Sequence, residues 1–206
     1  KHPGIPKVEP DGYFTVSPNS NSQQLHCLVM EKIEGHNLEQ WLAQHEPISE
    51  AVALKWMRQL VEILDLLHYN KLFHRDIKLS NIMLKPDGQL VLIDFGTVRQ
   101  VTNTYLAKVG GGREVTGIVS PGYTPLEQVN GKAVPQSDFY ALGRSFVYLL
   151  TGKHPIDFAE DSQTGALSWR DSAPQVSQGL ANLIDDLMAP FPGKRPLSTQ
   201  EILQRL

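Results

Sequence analysis

Two short stretches decide how this chain of 206 residues is interpreted: His74-Arg75-Asp76-Ile77-Lys78-Leu79-Ser80-Asn81 and, further along, Asp94-Phe95-Gly96. Between them, two apolar runs at 82–84 and 90–93 flank Lys85-Pro86-Asp87-Gly88-Gln89. Proline presets one turn angle and glycine accepts a positive φ, so this segment predicts a β-hairpin. A hairpin here returns the chain and places Asp94 near the first stretch.

Four side chains in these stretches carry the groups that phosphoryl transfer requires. The reaction needs a carboxylate that accepts the proton of a hydroxyl, a cation near the moving phosphoryl group, and oxygen ligands for Mg²⁺. Asp76 fits the base, Lys78 the cation, and Asn81 and Asp94 the metal ligands. The sequence therefore predicts that these four groups converge on one pocket.

Apolar periodicity outlines the rest of the chain. Residues 13–16 and 25–30 are predicted strands, because a cluster of Ser and Asn separates two apolar runs. From the capping residue Ser49, apolar side chains recur every three or four positions as far as Leu67, which predicts a long helix. Helical patterns return over 138–150, 180–188 and 198–206, the last opening with a capping box of Ser198 and Glu201. Residues 97–135 show no period, as is typical of a long loop that is either functional or disordered.

Composition excludes several classes of protein. With 41% apolar and 20% charged residues, the chain is neither disordered nor collagen-like. Its net charge of −3 includes no block of like charges that would attract nucleic acid or a lipid surface. No apolar run approaches the roughly 20 residues of a membrane span. The single cysteine, Cys27, excludes an internal disulfide, favours a reducing cytoplasmic compartment, and is predicted to be a small buried side chain.

Both stretches resemble the catalytic loop, H-R-D-x-x-x-x-N, and the metal loop, D-F-G, of the eukaryotic-type serine/threonine protein kinase family, which includes bacterial members. Every fixed position of both motifs matches. The resemblance implies an α+β, mostly α fold: a remnant of the N-terminal lobe over 1–33, and a helical C-terminal lobe with a short β-hairpin over 34–206. It also implies Mg²⁺ and ATP, whose γ-phosphate would pass to Ser or Thr hydroxyls of a protein substrate.

The resemblance extends into the second half of the chain. Lys78, two residues after the base, is typical of serine/threonine-directed members, and Ser120 takes the place of a hydroxyl that contacts both Asp76 and Lys78. Pro125-Leu126-Glu127 stands where the family has Ala-Pro-Glu, a departure at two of three positions. Glu127 would pair with Arg195. Asp138 would anchor the catalytic loop, or alternatively only favour the start of its own helix.

Residues 30–35 resemble the hinge that binds adenine. Following Met30, the backbones of Glu31 and Ile33 would bond the base, Asn37 would reach the ribose, and Met83 would form an apolar floor. A plain core strand is the alternative for this segment. The resemblance also assigns structural or regulatory roles to His74, Arg75, Phe95 and Gly96, and proposes Thr102, Thr104 and Thr116 as phosphate acceptors. Arg75 would pair with an added phosphate.

The chain departs from the family at its beginning. No G-x-G-x-x-G-x-V motif followed by a strand lysine precedes Glu31. The chain therefore resembles the later two-thirds of a kinase and is expected to be nearly inactive alone, because the missing parts position the phosphates. A non-catalytic interaction or regulatory domain is the alternative function, and a small-molecule kinase of the aminoglycoside type is a third. Gly110 to Gly112 is interpreted as a flexible hinge, not a phosphate cradle.

Overall fold

The computed structural model describes residues 2–17, 24–100 and 119–206. The strands are β1 (Val8–Val16), β2 (Leu25–Met30), β3 (His36–Asn37), β4 (Leu72–Phe73), β5 (Ile82–Leu84), β6 (Leu90–Leu92) and β7 (Arg99–Gln100). The α-helices are α1 (Leu38–Leu42), α2 (Glu50–Tyr69), α3 (Leu126–Val129), α4 (Pro135–Thr151), α5 (Gln178–Leu187) and α6 (Thr199–Arg205). Single 3-10 turns occupy Leu79–Asn81, Phe95–Thr97, Pro155–Asp157, Arg170–Ser172 and Pro192–Lys194. The predicted α+β, mostly helical class is confirmed.

The strands form small antiparallel sheets. Strands β1 and β2 pair with each other, and β3, β5 and β6 form a second sheet in the order β3-β5-β6. The hairpin predicted between the two motifs is β5–β6, in which Ile82 pairs with Leu92 and Leu84 with Leu90. Strands β4 and β7 pair next to the two motifs, with Phe73 opposite Arg99. The hairpin thus returns the chain to the catalytic loop, as the sequence predicts.

Helices α2 and α4 form the centre of the core. Ser49 caps α2 through its side-chain oxygen, which accepts the Val52 N–H at 3.5 Å. The apolar face predicted for α2 is buried against α4, β6 and α6. Helix α4 is buried on nearly every side, which suits its position between the catalytic loop and α5. Within the described residues, no helix is both long and apolar enough to cross a bilayer.

Three local predictions need correction. Cys27 is half-buried, because the β1–β2 sheet leaves many of its side chains exposed. The capping box at α6 is incomplete: Ser198 accepts the Glu201 N–H, but the Glu201 carboxylate accepts from Leu197, one residue before the cap. The aperiodic stretch 97–135 includes β7 and α3 in its described part. These elements are too short to show a period.

Candidate active site

A buried carboxylate at the start of α4 organises the catalytic loop. Asp138 is fully buried, with 0% of its surface exposed. Its two oxygens accept hydrogen bonds from the backbone N–H groups of His74 and Arg75, both at 2.8 Å. The His68 side chain lies 3.0 Å from the same carboxylate through Nε2. These bonds hold Arg75 at a φ of 73°, a conformation that non-glycine residues rarely adopt and that concentrates at functional sites.

Four of the predicted site residues form one hydrogen-bonded cluster. The Ser120 hydroxyl donates to Asp76 Oδ1 at 2.6 Å, and Lys78 Nζ lies 2.9 Å from Asp76 Oδ2. Lys78 Nζ also donates to Ser120 Oγ at 3.0 Å. The Asn81 amide donates both to the Asp76 carbonyl at 2.8 Å and to its Oδ2 at 3.0 Å. The cluster therefore fixes an ionised carboxylate beside an ammonium group.

The cluster determines the protonation of Asp76. Burial raises the pKa of the carboxyl, but hydrogen bonds from Ser120 and Lys78, the Lys78 charge and the Asn81 amide outweigh burial. The net pKa lies below its ordinary value of 3.8. Asp76 is therefore ionised at neutral pH and able to accept a proton.

This lowered pKa predicts an effect of pH on stability. A carboxyl whose pKa is lower folded than unfolded contributes stability above its unfolded value, and loses it as pH falls through the folded value. We expect Ser120→Ala to bring the folded pKa of Asp76 closer to 3.8. The variant should then lose less stability than the parent between pH of about 5 and about 2. Urea unfolding across this range measures the difference, and parallel pH profiles would contradict it.

The predicted metal ligands, Asn81 and Asp94, belong to two segments that a backbone hydrogen bond joins. The Asn81 carbonyl accepts the Ile93 N–H at 2.9 Å, which brings Asp94 alongside the catalytic loop. Because the Asn81 amide nitrogen donates to Asp76, its Oδ1 remains as an acceptor. Asp94 is exposed, has a φ of 63°, and accepts the Gly96 N–H at 3.3 Å. An amide oxygen and a carboxylate form a hard donor set that fits Mg²⁺.

The residues that flank the metal loop are packed in place. His74 donates through Nε2 to the Ile93 carbonyl at 3.1 Å, and burial lowers the pKa of its imidazole, which favours the neutral ring. Phe95 packs edge-to-face on this ring at 5.2 Å between centroids and contacts the core. The Thr97 hydroxyl donates to the His74 carbonyl at 2.6 Å. The metal loop is therefore held against the catalytic loop from several sides.

Glu127 and Arg195 form the ion pair that the sequence predicts. Two hydrogen bonds join the guanidinium to the carboxylate, at 2.6 and 3.2 Å. The Arg195 side chain is fully buried and that of Glu127 is 12% exposed. The Ser137 hydroxyl donates to the same carboxylate at 2.8 Å, and the guanidinium lies 4.9 Å above the Tyr140 ring. This network joins the segment after Ser120 to the start of α4.

The residues predicted to bind the nucleotide lie around the connection from β2 to β3. Met30 ends β2, and the Glu31 N–H donates to the Lys7 carbonyl at 2.8 Å, which extends the β1–β2 ladder. Asn37 lies opposite Met83 across the β3–β5 pair. The Asn37 side-chain oxygen accepts the Gln40 N–H at 2.8 Å and caps α1, so this atom is already engaged.

Ile33 and Gly35 complete this connection. Ile33 is half-buried between β2 and β3. Gly35 has a φ of 125°, and an added Cβ would lie 2.1 Å from the Leu84 carbonyl oxygen. Only glycine fits this close approach of two backbones. The connection therefore passes directly over the end of β5, close to Met83.

The geometry adds residues that the motifs did not indicate. His68 shares the Asp138 carboxylate, and the buried Gln128 side chain donates to the Arg75 carbonyl at 2.7 Å. Thr97 supports the metal loop, as described above. His68 and Gln128 are polar residues inside helices, where a sequence gives no sign of a distant partner. The proposed phosphate acceptors Thr102, Thr104 and Thr116, and also Gly110 to Gly112, lie outside the described residues.

Residues 15–206 match the protein kinase domain family, and the chain belongs to this family. It is 40% identical over 209 residues to serine/threonine-protein kinase F of Synechocystis, and the aligned region covers 98% of this chain and 41% of the relative. It is 37% identical over 188 residues to serine/threonine-protein kinase PknA of Nostoc, covering 91% of this chain and 33% of the relative. It is also similar to serine/threonine-protein kinase PrkC of Bacillus subtilis, at 32% identity over 167 residues, covering 76% and 25%. The chain thus spans about two fifths or less of the length of these relatives.

Proposed function

We propose that this chain is the catalytic region of a serine/threonine protein kinase, which transfers the γ-phosphate of ATP to hydroxyl groups of a protein substrate. The observation that carries the proposal is the hydrogen-bonded cluster of Asp76, Lys78, Ser120 and Asn81. The backbone bond from Ile93 to Asn81 brings the neighbouring Asp94 to the same loop. A domain that serves only to bind partners does not require this set of groups. The names of the relatives support the same activity.

The residues of the cluster divide the work of the transfer. Asp76 orients the acceptor hydroxyl and takes its proton as the hydroxyl oxygen bonds to the γ-phosphorus. The bond from that phosphorus to the bridging oxygen breaks, and ADP leaves. Lys78 stabilises the negative charge that spreads over the transferring group. Ser120 holds Asp76 and Lys78 in register, because its hydroxyl contacts both.

Asn81 Oδ1 and the Asp94 carboxylate are the proposed ligands of Mg²⁺, which neutralises phosphate charge when it is bound. For the nucleotide we propose backbone bonds from Glu31 and Ile33 after Met30, with Met83 below the adenine. The Asn37 side chain would reach the ribose through its amide nitrogen, because its amide oxygen caps α1.

Residues 1–33 would form part of the first lobe and residues 34–206 the second. We place the reaction in the cytoplasm, where ATP is available and a single Cys27 stays reduced. Arg75 would bind a phosphate added to a nearby threonine.

The test is incubation with Mg²⁺ and γ-labelled ATP in the presence of a general acceptor protein. We expect a longer protein that contains this chain to place label on serine and threonine, and none after chelation of Mg²⁺; this chain alone should transfer little. The assay is run on this chain and on any longer protein that contains it. Binding of ATP without transfer from either form would instead support the non-catalytic alternative. Transfer of the phosphate to a small-molecule hydroxyl in preference to protein would support the third hypothesis, a small-molecule kinase.

A further inference from the structure

A cavity of about 450 Å³ lies on the side of α4 that faces the segment after Ser120. Its walls come from three segments: Gly122, Thr124 and Leu126 after Ser120, Tyr140 and Arg144 of α4, and the stretch after α4 that includes Ile156, Phe158 and Glu160. Gly122 follows Ser120 by two positions, so the cavity begins within about 7 Å of chain from the residue that contacts the base. An extended acceptor peptide bound at Asp76 would therefore pass this cavity with a residue close to its acceptor hydroxyl.

The cavity holds a charged group that the proposed chemistry does not use. The Arg144 side chain is 5% exposed, although it carries a full positive charge and lies in the middle of a helix that is buried on most sides. Its guanidinium donates to the Tyr140 hydroxyl and forms an ion pair with Glu160. Nη1 donates to none of the described residues. A buried guanidinium with a donor to spare is a site for a second oxygen anion.

The partner of Arg144 is easily displaced. The Glu160 backbone pairs with Leu167 in an isolated antiparallel bridge, but 53% of the Glu160 side chain is exposed. It can therefore leave the cavity for water at little cost, whereas Arg144 needs a carboxylate to remain neutralised. The neighbouring acids Asp157 and Asp161 do not line the cavity, and Asp161 accepts the N–H groups of Gln163 and Thr164 in its own turn.

We infer that this cavity binds an acidic side chain of the protein substrate, which replaces Glu160 on Arg144 and selects acceptor sites with a Glu or Asp nearby. Apolar walls from Leu126, Ile156 and Phe158 accommodate the alkyl part of such a side chain. Glu160 then acts as an internal competitor that lowers the affinity for all acidic sequences. The inference rests on the proposed function, because it names the substrate preference of the same site.

The test uses a serine peptide in which one Glu is moved through about four positions on either side of the acceptor. A matched set carries Gln in place of each Glu. Fluorescence anisotropy measures binding of both sets to this chain, and kcat/KM is measured wherever transfer is detectable. We expect Glu160→Gln to raise the preference for Glu over Gln by about tenfold at one or two adjacent positions. Binding of the Gln peptides should not change.

Arg144→Met should remove the preference for Glu over Gln. If Arg144→Met fails to fold, the selectivity of Glu160→Gln alone tests the inference. An unchanged ratio of Glu to Gln binding at every position in Glu160→Gln would overturn the inference. Selective binding without any transfer by a longer protein that contains this chain would leave the docking site standing and refute the proposed function. Transfer without the shift in selectivity in Glu160→Gln would refute the docking site and leave the proposed function standing.

Discussion

Replacing Asp76 by asparagine is expected to lower the rate of phosphoryl transfer by about 10²- to 10⁴-fold, the contribution typical of a positioned general base. The amide keeps the size of the carboxylate and can still accept from Ser120, so the loop should retain its shape. It cannot take the proton of the acceptor hydroxyl. Mass spectrometry of an acceptor protein, incubated with Mg²⁺, ATP and a longer protein that contains this chain, measures the loss.

The matched control is Asp87→Asn, in the exposed turn of the β5–β6 hairpin. It removes the same charge from the chain at a distance from the cluster, and its rate should equal that of the parent. Thermal unfolding of both variants shows whether each remains folded. Equal phosphorylation by the Asp76 variant and the control would remove Asp76 from the role of base.

Replacing Glu127 by glutamine is expected to destabilise the fold by about 3 to 5 kcal/mol, because it leaves the guanidinium of Arg195 buried without a counter-charge. The remaining acceptors of that guanidinium are the carbonyls of Gln136, Ala189 and Pro190. They satisfy its hydrogen bonds but do not neutralise it. The free energy of unfolding in urea measures this effect.

The comparison is Asp186→Asn, which removes the partner of Arg205 in a pair exposed at both ends. Exposed pairs contribute about 1 kcal/mol or less, so this variant should be nearly as stable as the parent. A further variant, Glu127→Gln with Arg195→Met, should recover part of the loss, since the buried charge is gone. If Glu127→Gln and Asp186→Asn proved equally stable, the buried pair would have no special importance.

Local signals in the sequence predict most of the architecture. The long helix from Ser49, the hairpin between the two motifs and the helices after residue 134 all follow from periodicity and turn residues. These signals depend only on near neighbours. For the same reason they miss the incomplete cap at Ser198 and the exposure of Cys27, which depend on geometry and on what covers a sheet.

Within the candidate site, the motifs predict which side chains meet but not what supports them. His68 and Asp138 are separated by 70 positions, and nothing in the helical pattern of α2 marks His68 as a partner of α4. In the sequence, Gln128 is likewise only a polar residue in a short helix and Arg144 a charged residue in a largely apolar helix. Their partners become visible only when distant segments are placed in three dimensions.

The Asp138 carboxylate connects three parts of the chain: the last turn of α2, the backbone of the catalytic loop and the first turn of α4. Fluctuations that free Arg75 from its unusual backbone angle must first detach that carboxylate, and so must disturb the interior of the protein. The segment that carries the reactive groups thus belongs to the same cooperative unit as the core. Chemical competence and global folding should be gained and lost together.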